Sequence, residues 1–167
     1  MRPVNFYFSL IYIFLMLGSE AVENYLEAIY LLVRRKGYAK MSDISSLLNV
    51  KMPTATEMIQ KLAKRGLVKY EKYKSVKLTS RGEAIAENVI KRHETLRNFL
   101  EILGVRSEIA EEDACRIEHY VHPETMKLLS KFVEFVQNAP RSPRWLEHFK
   151  KFCESGEHPP CEESEFQ

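Results

Sequence analysis

One stretch limits what this chain can fold into more than any other: LVKYEKYKSVKLT, residues 67–79, where an otherwise helical rhythm of apolar residues breaks. It is rich in Val, Tyr and Lys and reads as two short strands joined by a turn near Tyr73, Lys74 and Ser75. Ahead of it the periodicity predicts three helices. Ser19 is the expected cap of the first, with Glu20 and Glu23 in its first turn and Val22, Leu26, Ile29, Tyr30 and Val33 recurring up to Gly37. Ser42 is the expected cap of the second, SDISSLLNV, with Ile44, Leu47 and Leu48 facing inward. The third is PTATEMIQKLAKRG, with Pro53 at its first position and Gly66 closing it. Helices followed by a basic hairpin form a winged helix-turn-helix.

Beyond the hairpin, Thr79 or Ser80 caps a long helix over residues 81–103, whose wide stripe includes Ile85, Val89, Ile90, Leu96, Phe99, Leu100 and Leu103, and Gly104 ends it. Residues 107–121 and 123–137 read as two more helices, the latter with Met126, Leu129, Phe132, Val133 and Val136 along one side. NAPRSPRW is a loop, WLEHFKKFCE a last short helix and SGEHPPCEESEFQ a polar tail. Apolar helices that so short a chain cannot cover on both faces call for a partner, so a homodimer is expected. With only 6 Gly and 7 Pro and no long alternating segment, the fold class is mostly α. The expected divisions are an apolar extension over 1–18, a winged-helix domain over 19–82, a second helical domain over 83–140, and a short helix and tail over 141–167.

The net charge of +2 hides an asymmetry: residues 51–81 carry nine Lys or Arg against two acids, and residues 106–167 carry thirteen acids against eight bases. A basic middle segment suits a polyanion, and on a helix-turn-helix that polyanion is expected to be double-stranded DNA. In a helix-turn-helix the second helix presents its N-terminal residues to base edges. Those residues are Lys51, Pro53, Thr54, Thr56 and Glu57, with Gln60 and Lys61 one turn on. Thr and Pro can meet a thymine methyl and Glu57 can accept from cytosine, whereas Lys51, Lys61, Lys72 and Lys74 suit phosphates.

The N-terminus is different in kind. From Pro3 to Ser19 there is no charge, and FYFSLIYIFLML resembles a signal-peptide core or a minimal membrane segment, without a small-x-small cleavage site. Translation starting at Met16 is the favoured expectation, and a membrane-tethered regulator is the alternative. Three cysteines without disulfide-dense spacing point to reduced thiols and a cytoplasmic protein.

Cys115, Glu118 and His119 fall at the three- and four-residue spacings that share one helix face, offering thiolate, carboxylate and imidazole to one ion. His93 on the long helix and Glu27 on the first helix are further candidates. Each taken singly is an ordinary packed or surface side chain. A metal-dependent hydrolase fits poorly, because no general base stands apart from these ligands and a basic wing has no role in one. A metal-independent winged-helix regulator sensing a small organic ligand is the main rival.

The run from ENYLEAIYLL through the wing, KRHETL and DACRIEH resembles the diphtheria toxin repressor family of iron- and manganese-dependent regulators, over about residues 20–137. The likeness is to short members such as the manganese transport regulators, without the C-terminal β-barrel of the longer ones. It implies a winged-helix DNA-binding domain that reads double-stranded operator DNA, a helical metal-binding and dimerisation domain and a divalent metal as corepressor. By this resemblance Cys115, Glu118 and His119 match the family's triad, His93 the histidine of the long helix, Glu27 the helix-one acid, and Glu111 an additional ligand position. Asn24 stands where the family usually has Asp or Met and can supply an amide oxygen. The thiolate makes Fe²⁺ the expected metal over Mn²⁺. A zinc site from His148, Cys153, His158 and Cys161 fits no common spacing, and a free tail is the expectation there.

Overall fold

The structure, a computed structural model, describes residues 6–71 and 74–160, with the backbone alone described for residues 6–19. It contains α1 (Phe6–Lys36), α2 (Met41–Leu47), α3 (Met52–Lys64), β1 (Val68–Lys69), β2 (Lys77–Leu78), α4 (Ser80–Ile102), α5 (Ser107–Ile117), α6 (Pro123–Gln137) and α7 (Arg144–Ser155). The described chain forms two compact units. Unit one is the chain through His93 together with Arg116–Tyr120, and unit two is Glu94–Cys115 with the chain from Val121 onward. The division falls within α4 at His93, whereas a boundary between 82 and 83 was expected.

Unit one is built on α1–α3 and the β-hairpin. Leu26, Ile29, Ile44, Ala55, Ile59, Leu62 and Val76 are fully buried in one apolar cluster. These positions recur at helical spacing on each helix, which is why three amphipathic faces close over one core. The strands pair antiparallel with Val68 opposite Leu78 and Lys69 opposite Lys77, and Ala39 adds a bridge to Val76. Asn49 adopts a positive φ of 51° in the turn between α2 and α3, a conformation Asn tolerates better than most residues. Val50 N–H then returns to the Ser45 carbonyl at 2.9 Å.

Several local expectations are corrected. Ser19 is not a cap but lies inside α1, which runs on from Phe6. Lys40, not Ser42, occupies the N-cap of α2, and Leu47 is 52% exposed rather than inward. Lys51 is the N-cap of α3, placing Pro53 at the second helical position, where its missing N–H still costs no hydrogen bond. Thr79, rather than Ser80, caps α4: its hydroxyl accepts from Gly82 N–H at 3.2 Å. The helix expected over 107–121 ends at Ile117, and residues 118–120 form a turn. The hairpin turn is not fully described, because Lys72 and Tyr73 lie outside the described residues, as does Cys161.

Unit two gathers Leu96 of α4, Ala114 of α5 and Met126 of α6 into a small apolar cluster with Val121 and Leu129. Phe99 meets Phe132 edge to face with centroids 5.7 Å apart, and Phe132 leads on to Trp145 of α7. Among the described residues no helix is long and apolar enough to cross a membrane.

Candidate metal centre and nucleic-acid interface

The turn after α5 carries the most unusual group in the chain. Glu118 is only 1% exposed, and a carboxylate so buried is tolerated only with strong polar partners. Its partners are imidazoles. His93 Nδ1, on α4, lies 2.9 Å from Glu118 Oε2, and His119 Nε2 lies 3.4 Å from Glu118 Oε1. On its other edge His119 Nδ1 donates to Glu23 Oε2 at 2.8 Å, and the Arg92 guanidinium donates to the same carboxylate. Tyr120 donates its hydroxyl proton to Glu20, one turn before Glu23 on α1. The turn is therefore fastened to α1 at two successive acids and to α4 at His93, all within unit one.

Charge governs the protonation of this chain of groups. Burial would raise Glu23, but the hydrogen bond from His119 and the positive charge of Arg92 outweigh it and hold the carboxyl below its ordinary range. Burial would likewise lower His119, yet the hydrogen bond to Glu23 and the negative charges of Glu118, Glu23 and Glu20 raise it above the ordinary imidazole value. The raised value agrees with a ring that donates from Nδ1 to Glu23 and stands close to the negative charge of Glu118.

The donor set fits a divalent cation in kind and in spacing. Carboxylate and imidazole are the ligands of first-row divalent ions. Neighbouring donors around such an ion at about 2.1 Å stand roughly 3 Å apart, and the two imidazoles stand 2.9 and 3.4 Å from the Glu118 oxygens. Among the described residues, no three His, Cys, Asp or Glu side chains form a finished ligand cage.

The other expected ligands are placed as follows. Glu27 and Asn24 lie half-buried on α1 in unit one. Cys115 is exposed near the end of α5, whereas Glu118 and His119 lie in the turn that follows the helix. Glu111, also on α5 in unit two, faces Arg97 at 3.7 Å. Sequence reasoning passed over Glu23 and Arg92. The signal was there: Glu23 precedes Glu27 by one helical turn, and Arg92 adjoins His93. In the tail, His158 stacks on Phe152 with ring centroids 4.6 Å apart.

Most of the residues expected to face DNA are exposed. Lys51, Pro53, Thr54, Glu57, Gln60 and Lys61 are exposed at and along α3, while Ala55, Ile59 and Leu62 anchor its other face. Thr56 is half-buried, and its hydroxyl donates to the Met52 carbonyl at 2.8 Å, which leaves its methyl as the group it offers. Lys74 pairs with Glu71 at the edge of the wing, and Lys69 and Lys77 stand exposed beside each other on the two strands.

A helix-turn-helix with a basic wing, carrying a buried carboxylate–imidazole cluster, defines a winged-helix DNA-binding protein. Residues 16–76 match the iron dependent repressor N-terminal DNA binding domain, and residues 79–147 match the iron dependent repressor metal binding and dimerisation domain. The chain belongs to the iron dependent repressor family, that of the diphtheria toxin repressor, and is a metal-dependent transcriptional regulator. It is 36% identical over 139 residues to the HTH-type transcriptional regulator MntR of Geobacillus thermodenitrificans, covering 83% of this chain and 99% of that one. It is 37% identical to MntR of Lysinibacillus sphaericus, covering 79% and 95%. Among solved structures it resembles IdeR of T. acidophilum (TM-score 0.61, 30% identity, 72% of this chain and 55% of that one). The manganese regulator SloR is similar (TM-score 0.60, 29% identity, 68% and 54%). The chain thus spans about half the length of these solved structures and nearly all of the MntR relatives. These relatives give no support to the expected preference for Fe²⁺ over Mn²⁺.

Proposed function

We propose that this chain is a cytoplasmic homodimeric repressor of metal homeostasis genes that grips operator DNA when a divalent metal is bound, with Mn²⁺ as the corepressor and Fe²⁺ as the second choice. The observation that carries the reading is the buried Glu118 carboxylate, met by two imidazoles from separate segments of chain. The oxygen and nitrogen character of these donors favours Mn²⁺, as do the names of the relatives; the earlier case for iron rested on the thiolate of Cys115, which is exposed. The proposed core of the site is His93, Glu118 and His119, with Glu27 and Asn24 of α1 as the helix-one donors.

When bound, the metal supplies two positive charges among clustered acids. The chain's own residues do the rest. His93 of α4 and the 118–119 turn hold each other, and the same turn is fastened to α1 through Glu23 and Glu20. α1 packs on α2 and α3 across the apolar core, so a firmer α1 means a better-defined recognition helix. Two such helices in a dimer read half-sites about one DNA turn, ~34 Å, apart. Linkage requires operator DNA to tighten metal binding by the same factor that metal tightens DNA binding, typically 1–3 kcal/mol.

The test is a fluorescence-anisotropy titration on a duplex selected from random sequence in the presence of Mn²⁺. Affinity is expected to rise 5- to 150-fold, as an order of magnitude, on adding Mn²⁺. Equal affinity with and without Mn²⁺ and Fe²⁺ would leave the rival, a metal-independent regulator, standing.

A further inference from the structure

We propose that Glu23, itself held by Arg92, is a positioning residue for His119: by taking the Nδ1 proton it turns Nε2 toward Glu118 as the ring's ligand atom. This rests on the reading of His119 as a metal ligand. It adds a residue that is not a ligand but decides which ring nitrogen is offered.

The geometry is directional. A carboxylate only accepts, so the 2.8 Å contact between His119 Nδ1 and Glu23 Oε2 fixes a proton on Nδ1. The opposite nitrogen, Nε2, then faces Glu118 Oε1 at 3.4 Å, longer than a formed hydrogen bond with good geometry and on the side where the second carboxylate lies. The His119 side chain is 4% exposed, so water does not compete for either nitrogen and the tautomer is set by these two neighbours. A carboxylate behind a ligating imidazole orients the ring and raises its basicity.

Arg92 makes the arrangement rigid. Its guanidinium bonds the same Glu23 oxygen, and its Nε is buried with no hydrogen-bond partner among the described residues. A guanidinium half-buried with one donor unsatisfied is poorly used as a surface charge. Its placement is explained by Glu23: it neutralises a carboxylate that would otherwise be drawn to the incoming cation, and so keeps Glu23 on His119. Arg92 and His93 are adjacent on α4, which sets the ligand His93 and the holder of Glu23 on one turn of one helix.

The test uses the full chain with Mn²⁺ and with Co²⁺ as a spectroscopic probe. Two-dimensional ¹H–¹⁵N NMR of the metal-free protein at pH 8 should show His119 protonated at Nδ1, and Glu23→Ala should shift that population toward the other tautomer. Mn²⁺ affinity of Glu23→Ala should fall 10- to 100-fold, as an order of magnitude, with partial recovery in Glu23→Gln, whose amide oxygen can still accept. At saturating Co²⁺ the d–d spectrum of Glu23→Ala should match the unsubstituted protein. The double variant Glu23→Ala/Arg92→Ala, which removes the charge left behind, should show the same loss if Glu23→Ala alone folds poorly. Wild-type tautomer and affinity in these variants, alongside weakened binding in His119→Ala, overturn the positioning role and leave the metal site intact. An altered Co²⁺ spectrum at saturation overturns it by making Glu23 a ligand. Unchanged Mn²⁺ binding in His119→Ala removes the site itself, and this inference with it.

Discussion

At the scale of single residues, Gly82 shows how closely α4 is set against the hairpin. A Cβ at Gly82 would lie 2.1 Å from the Leu67 carbonyl oxygen, an oxygen that already accepts from Thr79 N–H at 3.0 Å. Backbone, not a flexible side-chain tip, stands in the way. Gly82→Ala is therefore expected to destabilise the protein by about 1–3 kcal/mol, read as a lower urea midpoint with an unchanged m-value. A loss within error would mean that the start of α4 can shift freely. Nothing in the sequence marks this glycine as special, since its constraint comes from a carbonyl fifteen positions away. Glu23 was overlooked for the same reason: its role is set by His119, whose partner in space is far along the chain. His93, Glu118 and His119, by contrast, stood out by residue type, although it is the turn after α5 and not a shared helix face that brings Glu118 to both imidazoles.

Among elements, the wing is the clearest case of function opposing stability. Lys69 and Lys77 are in register on adjacent strands, and like charges directly opposite are destabilising by roughly 0.2–1 kcal/mol. A polyanion between them removes that penalty. Lys69→Ala and Lys77→Ala are each expected to lower the slope of log K against log salt by about 1, with sequence preference unchanged, measured by anisotropy across a salt series. An unchanged slope would take the wing off the DNA backbone. Helix positions were readable from periodicity, whereas the ends were not: Ser19 and Ser42 have the right chemistry for caps, but the chain continues in helix through both. The stop of α5 at Ile117 matters most, because it frees Glu118 and His119 from helical geometry and lets each turn to a different neighbour.

For the whole molecule, the exposed apolar surface bears on assembly. Met126 and Val133 are buried on one face of α6, while Leu128 and Phe135 on another are 63% and 65% exposed at a seven-residue spacing. An apolar pair so placed suits the dimer that the family's dimerisation domain implies. Leu128→Glu/Phe135→Glu should sediment as a monomer and lose operator affinity on the order of 10²-fold, since one half-site no longer adds to the other. A dimeric double variant would place the interface on another surface.

The sequence by itself determined the helical class, the basic hairpin, the exposed face of α3 and the kinds of donor available to a metal, because periodicity, charge and residue chemistry are local properties. Only the tertiary structure decided that Glu118 is buried, that Glu23 and Arg92 stand behind His119, and that Cys115 is exposed on α5. Those facts depend on which segments share a low-dielectric interior, and burial and hydrogen-bond partners are set by distances in space that no spacing along the chain encodes.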